Sequence, residues 1–314
     1  MKNLKAFLKY IFIITLLLSV ACLLISCSSD GSDKSEKEIT DYSELKVYRY
    51  EYKDGKIDTK SKELQYHYIY DKGLKIEETY YEQGEQREKC VYKYNNNGLR
   101  IEETCYYGGE LSYKYVYKYN DKGLLIEKIV SNGDGGIIDV TIYEYNDKGL
   151  LIEKTSPMVG AFRLITCFYE YNDKDLLIEE TENCYHRGRG EMEGIHKTVY
   201  KYNDNGLLIE KTEYVETTGY DGQGELDRKY VYNYNSEGLM IEETSYDKQG
   251  KLNYKHVYKY NDNGLLIEET YSDKTEDVDI RDYITKHNDK GLKIEEISYD
   301  EQGKPRTKLV YEYK

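Results

Sequence analysis

One sequence frame recurs along most of this chain. A clear copy is Val-Tyr-Lys-Tyr-Asn-Asp-Asn-Gly-Leu-Leu-Ile-Glu-Glu-Thr at residues 257–270. The frame starts at the following positions: Val91, Val116, Ile142, Phe168, Val199, Val231, Val257 and Ile284. A degenerate copy starts at His67, and a half copy occupies 309–313. A nearly fixed period of roughly 26 residues predicts a repeat architecture built from one supersecondary unit.

Each copy of the frame predicts a β-hairpin. Its first half, as in 254–260, alternates aromatic or apolar residues with polar ones, and period-two alternation is typical of a strand. Residues 261–264, Asn-Asp-Asn-Gly, then favour a turn, because Asn and Asp hydrogen-bond their own backbone and Gly supplies a positive φ. Residues 265–271 return as the second strand. The fold class is therefore predicted to be all-β, an antiparallel meander of about twenty strands.

The turn also predicts which residues share a face of the sheet. A type I turn followed by a left-handed glycine would pair Asn95 with Leu99. The same register would pair Val91 with Glu103 and gather Val91, Leu99 and Ile101 into a buried aliphatic seam, with the tyrosines on the opposite face. A register displaced by one residue, which would mix tyrosines with aliphatics, is the alternative.

The energetics of one repeat predict a role for the tyrosine face. Three buried aliphatic side chains stabilise by roughly 5–9 kcal/mol, whereas ordering about 26 residues costs about 1–2 kcal/mol each in backbone entropy. The frame tyrosines are therefore predicted to be substantially buried. Open sheets rarely exceed about 10 strands without curling, so the meander is predicted to coil into a spiral, a solenoid or a strongly twisted sheet.

The first 26 residues are similar to a bacterial lipoprotein signal peptide. Three lysines precede an apolar run over 11–25, as in a secretory signal. Residues 24–27, Leu-Ile-Ser-Cys, resemble the lipobox, in which a peptidase cleaves before the cysteine and that cysteine carries the lipid. The resemblance implies lipidation of Cys27. An uncleaved signal anchor and an ordinary signal-peptidase site are the alternatives.

Three segments follow from this pattern. Residues 1–26 are the predicted signal peptide, and 27–45, rich in Ser, Asp, Glu and Lys, are a flexible tether. Residues 46–314 form a single repeat domain. Two or more acyl chains make a stable membrane anchor, so the protein is expected in the cell envelope, lipid-anchored at the outer membrane or cell surface.

The charge and the aromatic content limit the partners. The chain has a formal net charge of −14, which disfavours nucleic acid as a partner. It contains 39 Tyr, 4 Phe and no Trp. Tyrosine-rich surfaces supply rigid contact area with a hydroxyl group, which suits recognition of a protein or a glycan.

The pattern Tyr-x-Tyr-Asn-Asp-x-x-Gly-x-Leu resembles the YD repeats of Rhs-type and teneurin-type proteins. Residues 117–124, 246–252 and 258–265 carry the likeness, which extends over about 48–314. The resemblance implies a β-sheet that spirals into a shell and a role at cell surfaces or in toxin encapsulation. The chain has far fewer repeats than a closed shell would need and begins with a lipoprotein-like signal, which argues against toxin delivery.

The sequence predicts neither an enzyme nor a cofactor. It contains no nucleophile elbow, HExxH helix or P-loop. The glutamates recur at one position of every frame, as Glu268 does, and a catalytic pair is normally unique because its two environments must differ. Recurring Glu is better explained as a cross-strand partner for Lys.

Histidine and cysteine give no metal signature in the sequence. His256 and His287 occupy strand positions that are polar or aromatic elsewhere and are predicted to be surface variants. Cys184 and His186, followed by His196, match no spacing typical of zinc sites, so no metal site is predicted. No CxxC spacing occurs, and the four cysteines of the repeat domain are expected to be unpaired or to pair opportunistically, without a disulfide framework: Cys90, Cys105, Cys167 and Cys184.

Function is expected where the repeats deviate. The repeat tails 179–198 and 211–230 are longer than the others, and insertions in repeat proteins often lie on a binding face. The candidate binding residues there are Cys184, His186, Arg187, Arg189, His196, Tyr214, Tyr220 and Asp221. The apolar stretch 156–162 is either an exposed contact patch or a packed strand.

The sequence thus predicts a lipid-anchored extracytoplasmic repeat protein that acts as a binding or adhesion surface for a protein or glycan. A structural surface-coat lipoprotein without a specific ligand is the alternative. A hydrolase associated with the envelope is a remote one.

Overall fold

The computed structural model describes residues 42–158, 163–186, 191–217, 224–273, 283–300 and 302–314. The predicted signal peptide, Cys27 and most of the tether lie outside these residues. The described residues form twenty β-strands: β1 Glu44–Lys53, β2 Lys56–Asp71, β3 Leu74–Glu82, β4 Glu85–Tyr94, β5 Arg100–Tyr107, β6 Glu110–Tyr119, β7 Leu125–Asn132, β8 Ile137–Tyr145, β9 Leu151–Met158, β10 Arg163–Tyr171, β11 Leu177–His186, β12 Glu191–Tyr202, β13 Leu208–Thr217, β14 Glu225–Tyr234, β15 Met240–Asp247, β16 Leu252–Tyr260, β17 Leu266–Asp273, β18 Tyr283–His287, β19 Lys293–Tyr299 and β20 Pro305–Tyr313.

The sheet closes on itself into a barrel. Each strand is antiparallel to its chain neighbours, and β1 also pairs with β20, from Leu45 opposite Tyr313 to Glu51 opposite Thr307. The predicted antiparallel meander of about twenty strands is confirmed, but the predicted spiral or solenoid is wrong, because the sheet closes into a barrel. Closure pairs the backbone groups that two free edge strands would leave exposed.

Regular turns line one end of the barrel, which we call the regular rim. Its turns are residues 95–98, 120–123, 146–149, 172–175, 203–206, 235–238, 261–264 and 288–291. In each, the asparagine carbonyl accepts a hydrogen bond from the fourth residue, and the asparagine side chain accepts two more backbone N–H groups, as Asn261 does from Asn263 and Leu265. Gly264 adopts a φ of +75° there, which explains the recurring glycine.

The pairing beside these turns agrees only in part with the predicted register. The N–H of Asn95 donates to the Leu99 carbonyl at 2.9 Å, as predicted. Val91, however, lies opposite Thr104 and not Glu103. A β-bulge next to the turn adds one residue to the return strand and so displaces the pairing.

Tyrosines, together with one leucine of several frames, line the inside of the barrel. The face that carries Tyr92, Tyr94 and Glu103 is the inner wall, and the face that carries Val91 and Lys93 is the outer wall. Five frame tyrosines of the inner wall are only 4–8% exposed: Tyr92, Tyr117, Tyr143, Tyr169 and Tyr258. The predicted burial of the frame tyrosines is confirmed.

The prediction that the aliphatic seam is buried is wrong. The frame isoleucines are each 36–38% exposed: Ile101, Ile126, Ile152, Ile209, Ile241 and Ile294. One leucine of the return strand is buried instead: Leu125, Leu151, Leu177 and Leu208 are 2–9% exposed, and the first three pack with inner-wall tyrosines.

The second tyrosine of the frame ties each repeat to the one before. Its hydroxyl donates to a backbone carbonyl of the preceding strand at 2.6–2.8 Å. The donor–acceptor pairs are Tyr94 to Lys75, Tyr119 to Arg100, Tyr145 to Leu125, Tyr171 to Leu151, Tyr202 to Leu177, Tyr234 to Leu208, Tyr260 to Met240 and Tyr313 to Lys293. These bonds satisfy carbonyls at the bulges, where the ladder is interrupted.

The first glutamate of the frame lies on the outer wall between lysines. Glu102 pairs with Lys93 at 2.7 Å and with Lys114 at 2.8 Å. The hydrogen bonds from Lys114 and Lys93 hold the pKa of Glu102 below its usual value. The prediction that recurring Glu serves as a cross-strand partner for Lys is confirmed, and Glu268 pairs in the same way with Lys259.

The opposite end of the barrel is less uniform, and we call it the variable rim. Its connections between described strands include 54–55, 83–84, 108–109, 133–136 and 248–251. Residues 159–162, 187–190, 218–223 and 274–282 lie outside the described residues. The described residues contain no helix long and apolar enough to cross a bilayer.

Candidate functional site on the inner wall

The inner wall has a constant half and a variable half. Near the regular rim, two positions are tyrosine in most frames, as Tyr92 and Tyr94 are in one of them. Toward the variable rim, two other inner positions change from repeat to repeat. One precedes each frame and holds Cys90, Tyr115, Thr141, Cys167, Thr198, Tyr230, His256 and Tyr283. The other lies on the return strand and holds Cys105, Val130, Ser156, Glu182, Glu213, Ser245, Tyr271 and Ser298.

The difference between the two halves separates residues that hold the barrel together from residues that are candidates for binding a ligand. The constant half makes the tyrosine-to-carbonyl bonds that every repeat needs. The variable half makes no such shared bond, so its side chains are available for recognition or chemistry.

The structure brings together some of the sequence-predicted candidates and separates others. Cys184 and His196 lie on the inner wall of β11 and β12 and converge on Glu182. Tyr214 lies opposite Lys197 on the outer wall and is not part of this group. His186 ends β11. The remaining candidates, Arg187, Arg189, Tyr220 and Asp221, lie outside the described residues.

One cluster of the variable half joins a thiol, an imidazole and a carboxylate. One donor atom each from Glu182, Cys184 and His196 lies within 4.8 Å of the others. The Cys184 thiol donates to Glu182 Oε1 at 3.5 Å, and the Cys167 thiol donates to Glu182 Oε2 at 3.8 Å. Burial raises the pKa of Cys167 to about 12. The sequence spacing gave no sign of this group, because His196 on β12 meets Glu182 and Cys184 of β11 only through the pairing of the two strands.

A cavity of about 270 Å³ borders this cluster. Cys167 and Glu182 line one part of it, and Asp139, Lys154 and Lys128 line another. Of the three cluster residues, Glu182 lines this cavity.

A second feature is a row of aromatic rings across β14 to β18. Tyr230, Tyr254, Tyr271 and Tyr283 follow one another with ring centroids 6.4, 5.4 and 5.1 Å apart. Tyr271 and Tyr283 are stacked at an interplanar angle of 9°. We call these four residues the tyrosine row. The Tyr254 hydroxyl donates to Glu243 at 2.5 Å, so the row also carries a carboxylate.

A third feature is a buried carboxylate between two histidines. Glu269 is fully buried, and its two carboxylate oxygens lie 3.4 Å from His256 Nε2 and 3.3 Å from His287 Nε2. Among the described residues neither oxygen has a hydrogen-bond donor in good geometry, and the hydroxyl of Thr285 also lacks a partner. The prediction that His256 and His287 are surface variants is wrong, because both positions face the inside of the barrel.

The cysteines follow the inner wall as well. Cys90 and Cys105 lie directly opposite each other on β4 and β5 and form a disulfide. The sequence left the pairing of these two cysteines open, and the register, not the spacing, explains the bond. Cys167 and Cys184 are not in a disulfide.

No family model and no curated protein matches this chain. Among solved structures, the TcdB2-TccC3-Cdc42 complex overlaps at a TM-score of 0.32 with 11% identity, covering 85% of this chain and 20% of that one. The chain thus spans about a fifth of that protein's length. A porin-like protein from Bacteroides uniformis overlaps at a TM-score of 0.36 with 12% identity, covering 87% of this chain and 96% of that one. TM-scores this low do not establish a common fold, and no conclusion below depends on them.

Sequence reasoning found the tyrosines but not the groups they form. The histidines, Glu269 and Glu182 each occupy a definite position of the repeat frame. That position determines whether the side chain faces the inner or the outer wall. A register drawn through all repeats would have placed them on the inner wall beside the tyrosines.

Proposed function

We propose that the protein is a lipid-anchored extracytoplasmic binding protein that takes up a glycan on the variable half of its inner wall. The tyrosine row carries this proposal. It combines aromatic faces, on which the C–H faces of sugar rings stack, with hydroxyl and carboxylate groups that hydrogen-bond sugar hydroxyls. Such a wall needs no catalytic group, in keeping with a binding role and not an enzymatic one.

Charged groups beside the row complete the recognition chemistry. The Tyr230 hydroxyl donates to Glu213 at 3.3 Å, and Arg228 lies 3.4 Å from the same hydroxyl. The ammonium group of Lys211 lies over the Tyr230 ring, with Nζ 4.8 Å from the ring centroid. A few polar groups placed around aromatic surface are typical of small-ligand sites.

A structural coat is the competing function. The regular ion pairs of the outer wall would suit it. The variable half of the inner wall favours binding, because a purely structural wall has no physical reason to change its side chains from one repeat to the next. The likeness to YD repeats supports a role at the cell surface.

Glycan binding is tested with the full chain in mild detergent on a glycan array, followed by calorimetry on the glycans that bind. Tyr254→Ala and Tyr271→Ala should each abolish binding, because each removes a ring from the middle of the tyrosine row. Tyr246→Ala is the matched control, since Tyr246 lies on the outer wall opposite Lys229. Thermal unfolding of each variant reports whether the barrel is intact.

Three outcomes would overturn the glycan proposal. They are an array without binders, equal loss of binding in the outer-wall control, and recovery of a protein ligand in its place.

The anchor is tested separately. Metabolic labelling with a palmitate analogue should mark the parent chain and not Cys27→Ser, and the variant should leave the membrane fraction. Label on Cys27→Ser, or its stable retention in the membrane, would contradict lipidation at this residue.

A further inference from the structure

We propose that Glu182, Cys184 and His196 form a binding site for a divalent transition-metal ion, and that zinc is the ion their chemistry fits best. This inference is independent of the glycan proposal, because it concerns β10 to β12 and not the tyrosine row. It also departs from the sequence, whose spacing predicted no metal.

The three side chains supply the donor types that zinc prefers. Zinc binds cysteine thiolate, histidine nitrogen and carboxylate oxygen at about 2.0–2.3 Å. In a tetrahedron with such bonds the donors stand roughly 3.3–3.8 Å apart. The Cys184 and Glu182 donors already lie 3.5 Å apart, and all three lie within 4.8 Å of one another. Shifts of about 1 Å or less would complete the arrangement.

The strand register positions the ligands on one wall. Glu182 lies opposite His196, and Cys184 lies opposite Gly194. Because Glu182 and Cys184 are two residues apart on β11, both point to the inner wall. Gly194 has no side chain, so nothing from that position covers the thiol.

A comparison between two repeats shows why Cys167 has no cysteine directly opposite it. Cys90 and Cys167 hold the same frame position, and each has a direct partner on the next strand. The partner of Cys90 is Cys105, which forms a disulfide with it, whereas the partner of Cys167 is Glu182. The replacement of a cysteine by a carboxylate at this position removes the disulfide and leaves a mixed donor set in its place.

Cys167 acts as a positioning residue for the carboxylate. Its thiol donates to Glu182 Oε2, the oxygen that does not receive the Cys184 thiol. Such a second-layer hydrogen bond fixes a ligand's orientation, and its loss typically weakens metal affinity about 10–100-fold.

Metal uptake at this site is an exchange of a proton for a metal ion. The hydrogen bond from Cys184 to Glu182 breaks, the thiol proton leaves to solvent, and the sulfur and the carboxylate oxygen each donate an electron pair to the ion. No electron is transferred, so neither an oxidant nor a reductant is needed. Three protein ligands leave a fourth position for water or a ligand.

The test uses the full chain in mild detergent with a reducing agent, stripped of metal and titrated with Co²⁺ and then Zn²⁺. Cobalt bound to a thiolate gives a sulfur-to-metal charge-transfer absorption, which zinc then removes by displacement. Cys184→Ser should abolish this absorption, and His196→Ala should weaken zinc binding. Cys167→Ser should retain the absorption with an affinity about 10–100-fold lower.

The matched control is the double variant Cys90→Ser with Cys105→Ser. Reduction opens that disulfide, and Glu88 beside it makes the pair a competing donor group. The double variant should bind cobalt as the parent does. The proposal is overturned if the parent gives no thiolate absorption, if Cys184→Ser keeps it, or if only the double variant loses it. A disulfide between Cys167 and Cys184 in protein purified without reductant would overturn it as well.

Discussion

Glu269 lies directly opposite Thr285, two residues out of the register that the other described repeat junctions share. At those junctions the first glutamate of a frame lies opposite the first residue of the next frame, as Glu242 lies opposite Val257. Where β17 meets β18, Glu268 lies opposite the third residue, Lys286. Among the described residues, this carboxylate receives no tyrosine hydroxyl and lies between two histidines.

Removing the charge of this carboxylate should stabilise the barrel. A buried carboxylate without a donor costs free energy, and an amide of the same shape offers N–H groups to the neighbouring imidazoles. We expect Glu269→Gln to raise the free energy of unfolding by about 1–3 kcal/mol, measured by chemical denaturation.

Glu243→Gln is the matched control for this substitution. Glu243 holds the same frame position but accepts the Tyr254 hydroxyl, so its substitution should lower stability or leave it unchanged. Destabilisation by Glu269→Gln would show that Glu269 has a charged partner after all.

The free energy of unfolding should fall as the pH is lowered through the range in which His287 takes up a proton. Burial, with the nearby charge of Lys293, lowers the pKa of His287 below 6.5, while Glu269 opposes this shift. The unfolded chain therefore binds a proton here more readily than the native one. The stabilising contribution of neutral His287 is complete above about pH 6.5 and is lost as the pH falls through the pKa of His287 in the native protein.

Urea unfolding midpoints between about pH 5 and pH 8 measure this dependence. His287→Gln should flatten it in the acidic part of the range. An unchanged slope in the variant would assign the dependence to other groups.

The hydrogen bond from the second tyrosine of the frame to a backbone carbonyl should contribute measurably to the free energy of unfolding. Tyr260→Phe removes the hydroxyl that donates to the Met240 carbonyl at 2.7 Å and leaves that carbonyl unsatisfied at a bulge. We expect a loss of about 1–2 kcal/mol. Tyr107→Phe should change stability by less than about 0.5 kcal/mol, since Tyr107 is 65% exposed and surface changes are usually small. Equal effects of the two variants would contradict this role.

Much of the local fold could be predicted from one repeat. The alternation of residues 254–260 predicts a strand, and Asn261 with Gly264 predicts the turn that the structure shows. These inferences rest on contacts within about fourteen residues of sequence, so local chemistry decides them.

Neither the closure of the barrel nor the wall that each side chain faces could be predicted from one repeat. Pairing of β1 with β20 joins residues at opposite ends of the domain, as in Val47 opposite Tyr311, and no local pattern encodes it. The bulge near each turn moves one residue of the return strand, which decides whether Glu103 faces inward. The same two features determine which histidines and cysteines meet, so Cys184 and His196 could be named as candidates from the sequence but their meeting with Glu182 could not.

The inner wall exists only if the barrel closes, and a disulfide between β1 and β20 tests closure most directly. Lys46 and Glu312 lie opposite each other on the outer wall, so the double variant Lys46→Cys with Glu312→Cys should form an intramolecular disulfide on mild oxidation. Lys46→Cys with Lys197→Cys, on distant strands, should not. Peptide mass spectrometry identifies the linked pairs. An open meander would hold positions 46 and 312 roughly 90 Å apart, so failure of that pair to form the bond in folded protein would contradict the barrel.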